Sequence, residues 1–205
     1  MNPAAATIRL DDADASQEAA AALLARAHFD SPHWTWMIPD AGRRAALLPL
    51  SMRASVRWGL LIGETYTTPT LDGIAIWAPP GMDGADLDPN GSWRDFIAAA
   101  CGEVTRKIGA MGDEQINARR RAAAGRRYWS LPLLGVDPKV QRTGGGSTLL
   151  TAMFERTDAA GEPCVLDTER EANVPYYERH GFRVTHTARL PLNGPHYWTM
   201  LREPR

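Results

Sequence analysis

The sequence is poor in cysteine and histidine, the residues that build disulfide frameworks and many metal sites. Only two of its 205 residues are cysteines, Cys101 and Cys164, and they lie far apart without a Cys-x-x-Cys pair. This usage is typical of reduced thiols in a reducing compartment rather than of a disulfide scaffold. His28 and His33 lack the carboxylate or cysteine companions of a zinc site. We therefore expect no metal.

The chain also lacks an excess of either charge. Lys and Arg total 23 against 24 Asp and Glu, which gives a formal net charge of -1. Nucleic acids and anionic membranes are gathered by a strong positive field, so we expect neither as a partner. The arginines Arg119–Arg121, Arg126 and Arg127 are interpreted as a solvated helix face rather than as a nucleic-acid or phosphate site.

Long hydrophobic runs are missing as well. No stretch approaches the roughly eighteen apolar residues of a membrane span, because Arg26 and His28 interrupt the longest candidate at 19–27. The N-terminal segment 1–17 is acidic and has no basic start followed by an apolar stretch, so it does not resemble a signal peptide. These absences predict a cytoplasmic protein.

What the chain has is enough apolar mass, 44% of residues, for one compact domain. The second half predicts a strand, a glycine-rich turn, a helix, a strand and a short helix, followed by two strands, which is an α/β pattern. In the first half we predict strands at 7–10, 59–67 and 73–78, a helix that is capped by Asp14 or Ser16 and runs to about 28, and a second helix at 42–58. An aromatic loop is expected at 30–40, a surface loop at 82–91, and a helical region at 93–125 that is split at Gly109 and Gly112.

The glycine-rich turn is the most informative segment. The apolar strand ending Leu134-Gly-Val136 leads through Gln141-Arg-Thr-Gly-Gly-Gly146 to Ser147 at the start of an amphipathic helix. A helix N-terminus offers free N–H groups, and glycines let a ligand approach the backbone, so the turn predicts an anion site. It is not a Walker A loop, which needs a Lys after the last glycine, nor a Rossmann fingerprint, whose glycines are spaced. A plain tight turn is the alternative.

Two segments in order resemble the GNAT superfamily of N-acetyltransferases. Gln141–Gly146 matches its Gln/Arg-x-x-Gly-x-Gly/Ala signature, with Thr143 where many members carry Arg or Gly. Asn173–Phe182 resembles its Asn-x-x-hydrophobic-Tyr-Glu-x-x-Gly-Phe pattern. The likeness covers 128–202 well. The first half is only loosely similar, where 72–81 resembles the puromycin-type small-molecule acetyltransferases.

The resemblance implies an α/β fold, a single GNAT-like domain over 1–205 with an acceptor-side half, 1–127, and an acyl-CoA-binding half, 128–205. Its mixed central sheet would be splayed between the strands at 130–136 and 164–168, with the pantetheine of acetyl-CoA lying between them. A homodimer is left open. The residues that the resemblance assigns to the cofactor are Leu134, Gly135, Val136, Gln141, Arg142, Thr143, Gly144, Gly145, Gly146, Ser147 and Asn173.

For proton transfer the resemblance assigns Tyr177 as the general acid, and Asn173 is expected to cap its helix. The alternative for Tyr177 is a packed tyrosine whose hydroxyl bonds to the backbone, and Tyr176 is expected in the core. Asp167 and Glu169 alternate along their strand and share one face, so either is a candidate base. Their alternative is a solvated strand end or a partner for Arg170.

The predicted function is therefore acetyl-CoA-dependent N-acetylation of a small, partly apolar amine by direct attack in a ternary complex. Trp34, Trp36 and Trp77 are candidate apolar walls for the amine, and Asp30, Asp40 and Asp83 are candidate partners for its ammonium group. Two alternatives stand beside this prediction. The first is an acyl-CoA-binding sensor or scaffold without turnover, and the second is a nucleotide-binding regulator.

Overall fold

A computed structural model describes residues 7–62, 64–82 and 93–205 of the chain. Its strands are β1 (Ile8–Arg9), β2 (Glu64–Thr67), β3 (Gly73–Ala78), β4 (Trp129–Val136), β5 (Cys164–Thr168), β6 (Phe182–Arg189) and β7 (His196–Arg202). Its helices are α1 (Asp14–His28), α2 (Pro32–Met37), α3 (Ala41–Ile62), α4 (Arg94–Ala100), α5 (Glu103–Ala122), α6 (Gly145–Thr151), α7 (Phe154–Ala159) and α8 (Val174–Arg179), with a 3-10 turn at Glu171–Asn173 before α8.

The strands form one mixed sheet in the order β1-β2-β3-β4-β5-β7-β6, which is open at both edges. All neighbouring strands are antiparallel except β4 and β5. This confirms the predicted α/β fold with a mixed central sheet.

The parallel pair β4–β5 is short. It holds only the pairs Trp129 with Cys164 and Ser130 with Val165. Directly after it, the ladder between β3 and β4 slips, because Ala78 pairs with Ser130 while Ile76 pairs with Leu133. β4 therefore has one more residue than β3 in this stretch and forms a bulge that contains Pro132. Proline has no N–H to donate and is tolerated in strands at bulges. The two central strands diverge from this point, as the predicted splay requires.

The sheet lies between two layers of helices. Every residue of β3 is buried, and its side chains alternate between the layers. Ile74 and Ile76 pack in the cluster with α1, α3 and α4, whereas Ala75 and Trp77 pack in the cluster with α6 and α8. A strand buried on both faces is typical of a sheet covered by helices on both sides.

Four predicted element boundaries were wrong. The aromatic loop contains α2, which begins at Pro32 in the first turn where proline is favoured. Residues 59–62, predicted as strand, continue α3. The predicted split of α5 at its glycines is absent, and the break lies at Cys101 and Gly102, which both have positive φ. The single helix predicted after the glycine turn is divided into α6 and α7. The predicted loop at 82–91 lies outside the described residues from 83 onward.

Candidate active site

The gap between β4 and β5 leaves one edge of β4 without a strand partner. Leu134, Gly135 and Val136 pair with β3 on one side, and β5 has already turned away on the other. An unpaired strand edge can bond an extended ligand as if the ligand were a further strand. Gly135 packs tightly beneath this edge, since a Cβ there would lie 2.7 Å from Leu24 of α1.

The glycine turn follows directly and leads into α6. Gly144 adopts a φ of 102°, a conformation that side chains rarely accept, and no protein atom lies within 4 Å of where its Cβ would be. The amide of Gln141 donates to the carbonyl oxygen of Val136 at 3.1 Å, and the hydroxyl of Thr143 donates to that of Val140 at 2.8 Å. The open space over Gly144, beside the backbone start of α6, leaves room for an anionic group at this turn.

Helix α8 carries the two adjacent tyrosines. Tyr177 is 8% exposed and its ring packs edge-on against Phe182 and Tyr176. Burial raises the pKa of the Tyr177 phenol, so the group keeps its proton at neutral pH.

Tyr176, which was expected in the core, is half-buried and packs against the hydrophobic cluster around Leu149 and Tyr177, with its hydroxyl at the glycine turn. Its oxygen is buried and would be 3.1 Å from a Cβ on Gly146. The expected cap by Asn173 is wrong, because its side chain makes no cap bond to α8. Its amide instead donates to the Thr168 hydroxyl at 3.4 Å, at the end of β5. The structure therefore brings Asn173 to β5 and Tyr176 to α6.

A cleft of about 490 Å³ opens beside the point where β4 and β5 diverge. Residues 131–133 of β4 form part of its wall, so the cleft borders the splayed gap. Its remaining apolar walls come from aromatic and aliphatic side chains of α2, α3, α4 and α5, among them Trp34, Trp58, Met52, Ile97 and Ile108, together with Trp93. Asp167 and Glu169 line it too, so the two predicted base candidates share one face at the cleft.

Asp167 is held by two partners. The Thr199 hydroxyl donates to its Oδ1 at 2.5 Å, and Arg119 Nε lies 3.3 Å from its Oδ2. The carboxyl is 7% exposed, and burial raises its pKa to about 6 although Arg119 opposes this shift. Both oxygens of Asp167 are thus engaged inside the protein.

Glu169 lies two residues further and has different partners. Gln115 donates from its side-chain amide to Oε1 at 2.9 Å, and Nδ1 of His33 lies 3.5 Å from Oε2. Burial raises the pKa of Glu169, but the facing His33 ring and the hydrogen bonds to the carboxylate outweigh burial, so the net pKa is lowered. The two carboxyls at the end of β5 therefore have pKa values shifted in opposite directions.

A family model of the acetyltransferase (GNAT) domain matches residues 109–202. Residues 109–202 are thus similar to the GNAT acetyltransferase domain. The match begins within α5 and ends with β7, and it includes the glycine turn, α8, Asp167 and Glu169. The prediction of an acyltransferase with the GNAT fold is confirmed.

Solved structures of acetyltransferases share the fold along nearly the whole chain. One, described as a histone acetyltransferase HPA2 and related acetyltransferase from Corynebacterium glutamicum, is 16% identical with a TM-score of 0.69, and the match covers 97% of this chain and 96% of that one. A polyamine N-acetyltransferase from Drosophila melanogaster is 14% identical with a TM-score of 0.60 over 97% and 100% of the two chains. Arylalkylamine N-acetyltransferase 2 from Aedes aegypti is 10% identical with a TM-score of 0.62 over 98% and 99%.

Three side chains of this candidate site were missed by sequence reasoning. His33 was considered only as a metal ligand, Gln115 was not considered, and Arg119 was wrongly assigned to a solvated face. The Arg119 side chain is 12% exposed and pairs with Asp167. Position along α5 places Gln115 and Arg119 one turn apart on one face, but only the tertiary structure brings that face to β5.

The predicted acceptor residues are only partly placed at the cleft. Trp34 lines it. Trp36 instead donates from Nε1 to the carbonyl oxygen of Leu192, and Trp77 is fully buried on the opposite face of the sheet. Asp40 accepts from the backbone N–H of Arg43 at the start of α3, and Asp30 is exposed away from the cleft. Asp83 lies outside the described residues.

Within the described residues, no helix is long and apolar enough to cross a membrane. Across the same residues, no group of three or more His, Cys, Asp and Glu side chains is placed to hold a metal ion. Both cysteines are free, Cys164 being buried and Cys101 exposed.

Proposed function

We propose that the protein is an acetyl-CoA-dependent N-acetyltransferase that acts on a small, partly apolar amine by direct attack in a ternary complex. The observation that supports this most is the common boundary of the splayed gap and the cleft. The cleft is walled by β4 directly beyond the point where β4 and β5 part. A thioester in the gap and an amine in the cleft would meet there, so no covalent enzyme intermediate is required.

On the donor side, the free edge at Leu134, Gly135 and Val136 would bond the pantetheine arm. The backbone from Gln141 to Ser147 would hold the pyrophosphate, since the turn is exposed and open over Gly144. N–H groups of the same β4 edge are suited to stabilise the oxyanion that develops when the amine attacks the thioester carbonyl.

On the acceptor side, the character of the cleft supports an aromatic or alkyl primary amine. Tryptophan and aliphatic side chains supply flat apolar walls, while Asp167 and Glu169 supply negative charge at one end. Two structural neighbours are described as a polyamine and an arylalkylamine N-acetyltransferase, which is in keeping with an amine acceptor.

Tyr177 is the proposed proton donor to the departing thiolate. It is buried beside the glycine-turn side of the sheet, and its raised pKa keeps it protonated until a strongly basic group forms next to it. Burial is the main cause of the raised Tyr177 pKa, and the charges of Tyr176 and Glu169 add to it.

The direct test is thiol release from acetyl-CoA with a panel of aromatic amines, aliphatic diamines and Lys-rich peptides. We expect turnover with small aromatic or alkyl amines. Turnover of the peptides alone would contradict the proposed acceptor class. Acetyl-CoA binding in calorimetry without thiol release for any amine would favour the sensor or scaffold, and nucleotide binding without coenzyme A binding would favour the regulator.

A further inference from the structure

Three side chains from separate elements meet at the charged end of the cleft. His33 comes from α2, Gln115 from α5, and Glu169 follows β5. The Glu169 carboxylate lies between the other two, 2.9 Å from the Gln115 amide and 3.5 Å from Nδ1 of His33. The side chains of His33 and Glu169 are 15% and 14% exposed, so this contact is largely shielded from water.

Each carboxylate oxygen of Asp167 and Glu169 already faces a partner side chain. Asp167 is held at Oδ1 by Thr199 and at Oδ2 by Arg119. Glu169 faces Gln115 with one oxygen and His33 with the other. A carboxylate engaged in this way orients its donors, as the acidic partner of a histidine does in many catalytic pairs.

The contact with Glu169 also decides which nitrogen of His33 can act. Nδ1 is buried and faces a carboxylate oxygen, which favours the tautomer with the proton on Nδ1. The lone pair then lies on Nε2, the opposite edge of a ring that lines the cleft. Contacts of this kind are often long before substrate binds and shorten in the reactive complex.

We infer that His33 accepts the proton of the acceptor ammonium, with Glu169 and Gln115 as its positioning residues. This inference rests on the proposed function. Nε2 takes one proton from the ammonium, and the Nδ1 proton stays directed at Glu169. The neutral amine then forms the C–N bond, the C–S bond breaks, and Tyr177 protonates the thiolate. The amide nitrogen loses its extra proton as the tetrahedral intermediate collapses, which restores Tyr177, and His33 releases its proton to solvent.

Glu169 is the acidic group that faces His33. Glu169 supplies the compensating negative charge, whereas Arg170 and Arg119 are engaged with the Asp30 carbonyl oxygen and with Asp167. His28 of α1 is the other ring nearby, and burial lowers its pKa to about 4, so it carries no charge at neutral pH. His28 therefore adds no positive charge beside His33 at neutral pH.

The test is chemical rescue. His33→Ala should lower kcat by about a hundredfold or more, leave the KM for acetyl-CoA unchanged, and regain turnover when imidazole is added. His33→Gln should lose turnover without rescue, since its side chain fills the space that imidazole would occupy. His196→Gln, an exposed histidine at the start of β7, is the matched control and should behave as wild type with and without imidazole.

The positioning role has its own readout. Glu169→Gln should lower kcat while the variant stays insensitive to imidazole, because the ring of His33 is still present. A folded His33→Ala enzyme with kcat within about threefold of wild type would overturn the inference. The inference would also be overturned if His33→Ala lost turnover, still bound acetyl-CoA and regained no turnover with imidazole. Failure of the proposed function is distinct, because the wild-type protein itself would then release no thiol with any amine.

Discussion

At the scale of single residues, Asp167 and Glu169 show how one strand end can present two different carboxyl groups. Asp167 is buried against Arg119 and Thr199, and Glu169 is buried against His33 and Gln115. Burial has the largest effect on the pKa of Asp167 and raises it. For Glu169, burial is opposed by His33 and by hydrogen-bond donors, and the net pKa is lowered. Such divergence is common where a protein sorts acids and bases into separate roles, although ion-pair networks also produce it.

The raised pKa of Asp167 predicts a pH-dependent cost to stability. Its pKa rises from 3.8 to about 6 on folding, so between these values the folded chain binds more protons and the free energy of unfolding falls as pH rises. The cost reaches at most about 3 kcal/mol above pH 6. Asp167→Asn cannot ionise, so its stability relative to wild type should improve from pH 4 to pH 7 in denaturant titrations. The exposed Asp12→Asn is the control, and a parallel pH course for Asp167→Asn and wild type would contradict the prediction.

Tyr177 and Tyr176 form a natural pair for testing the general acid. Tyr177→Phe should lower kcat by about a hundredfold and leave acetyl-CoA affinity nearly unchanged, because the lost hydroxyl matters mainly as the thiolate departs. Tyr176→Phe removes a hydroxyl of the same helix, one that lies near Gly146. We expect this variant to have the kcat of the wild type. Single-turnover kinetics with binding by calorimetry separate the two effects. Full turnover by a saturated Tyr177→Phe enzyme would assign the acid elsewhere.

At the scale of elements, α5 contains two glycines at positions whose backbone conformation does not require glycine. Gly109 and Gly112 are helical, and nothing lies within 4 Å of where their Cβ atoms would be. Alanine at either position should raise the free energy of unfolding by about 0.5 to 1 kcal/mol. Gly102, just before the helix, has a φ of 61°, and Gly102→Ala should destabilise despite equally open space. Thermal denaturation of the three variants should therefore show shifts of opposite sign.

The elements that sequence predicted correctly are those with a local signal. The glycine turn, the strand before it and the motif around Tyr177 were placed by residue pattern and family likeness, and the structure has them as β4, α6 and α8. The split predicted at Gly109 and Gly112 was wrong because packing of α5 on β5 and β7 outweighs the modest helix cost of glycine. Pro132 was a visible signal for the bulge of β4, but its consequence depends on which strand lies beside it.

The candidate site was less predictable than the fold for the same reason. Asp167 and Glu169 could be placed on one face by alternation, which is a local rule. Their partners come from other elements: His33 from α2, and Gln115 and Arg119 from α5. One sequence carries no signal for such long-range contacts. Three tryptophans were predicted to line the acceptor site, but only Trp34 lines the cleft, whereas Trp36 and Trp77 pack elsewhere.

At the scale of the whole molecule, the two parts of the sheet are joined at β4–β5 by only two residue pairs. A ligand that bonds β4 and rests on the start of α6 should therefore stabilise the entire fold. At a concentration a hundred times its Kd, acetyl-CoA should add about 2.7 kcal/mol. For a chain of this size that corresponds to a rise in Tm of roughly 5 to 10 °C.

Gly146→Val is the variant that tests this link. A side chain at Gly146 would meet the Tyr176 hydroxyl at 3.1 Å and the Val136 side chain at 3.5 Å, and it would project into the turn assigned to the pyrophosphate. We expect the variant to fold with the acetyl-CoA-dependent rise in Tm strongly reduced. Differential scanning calorimetry with and without acetyl-CoA gives the measurement. A full ligand-induced rise in the folded variant would remove the glycine turn from the cofactor site.

The early parting of β4 from β5 has a consequence for amide hydrogen exchange. Beyond Pro132, the backbone N–H groups of β4 that do not bond to β3 face a gap instead of a neighbouring strand. In the free protein these central-strand amides should exchange with solvent deuterium as fast as those of a sheet edge, although they lie in the middle of the chain's own sheet. A bound extended ligand would slow that exchange at β4 first.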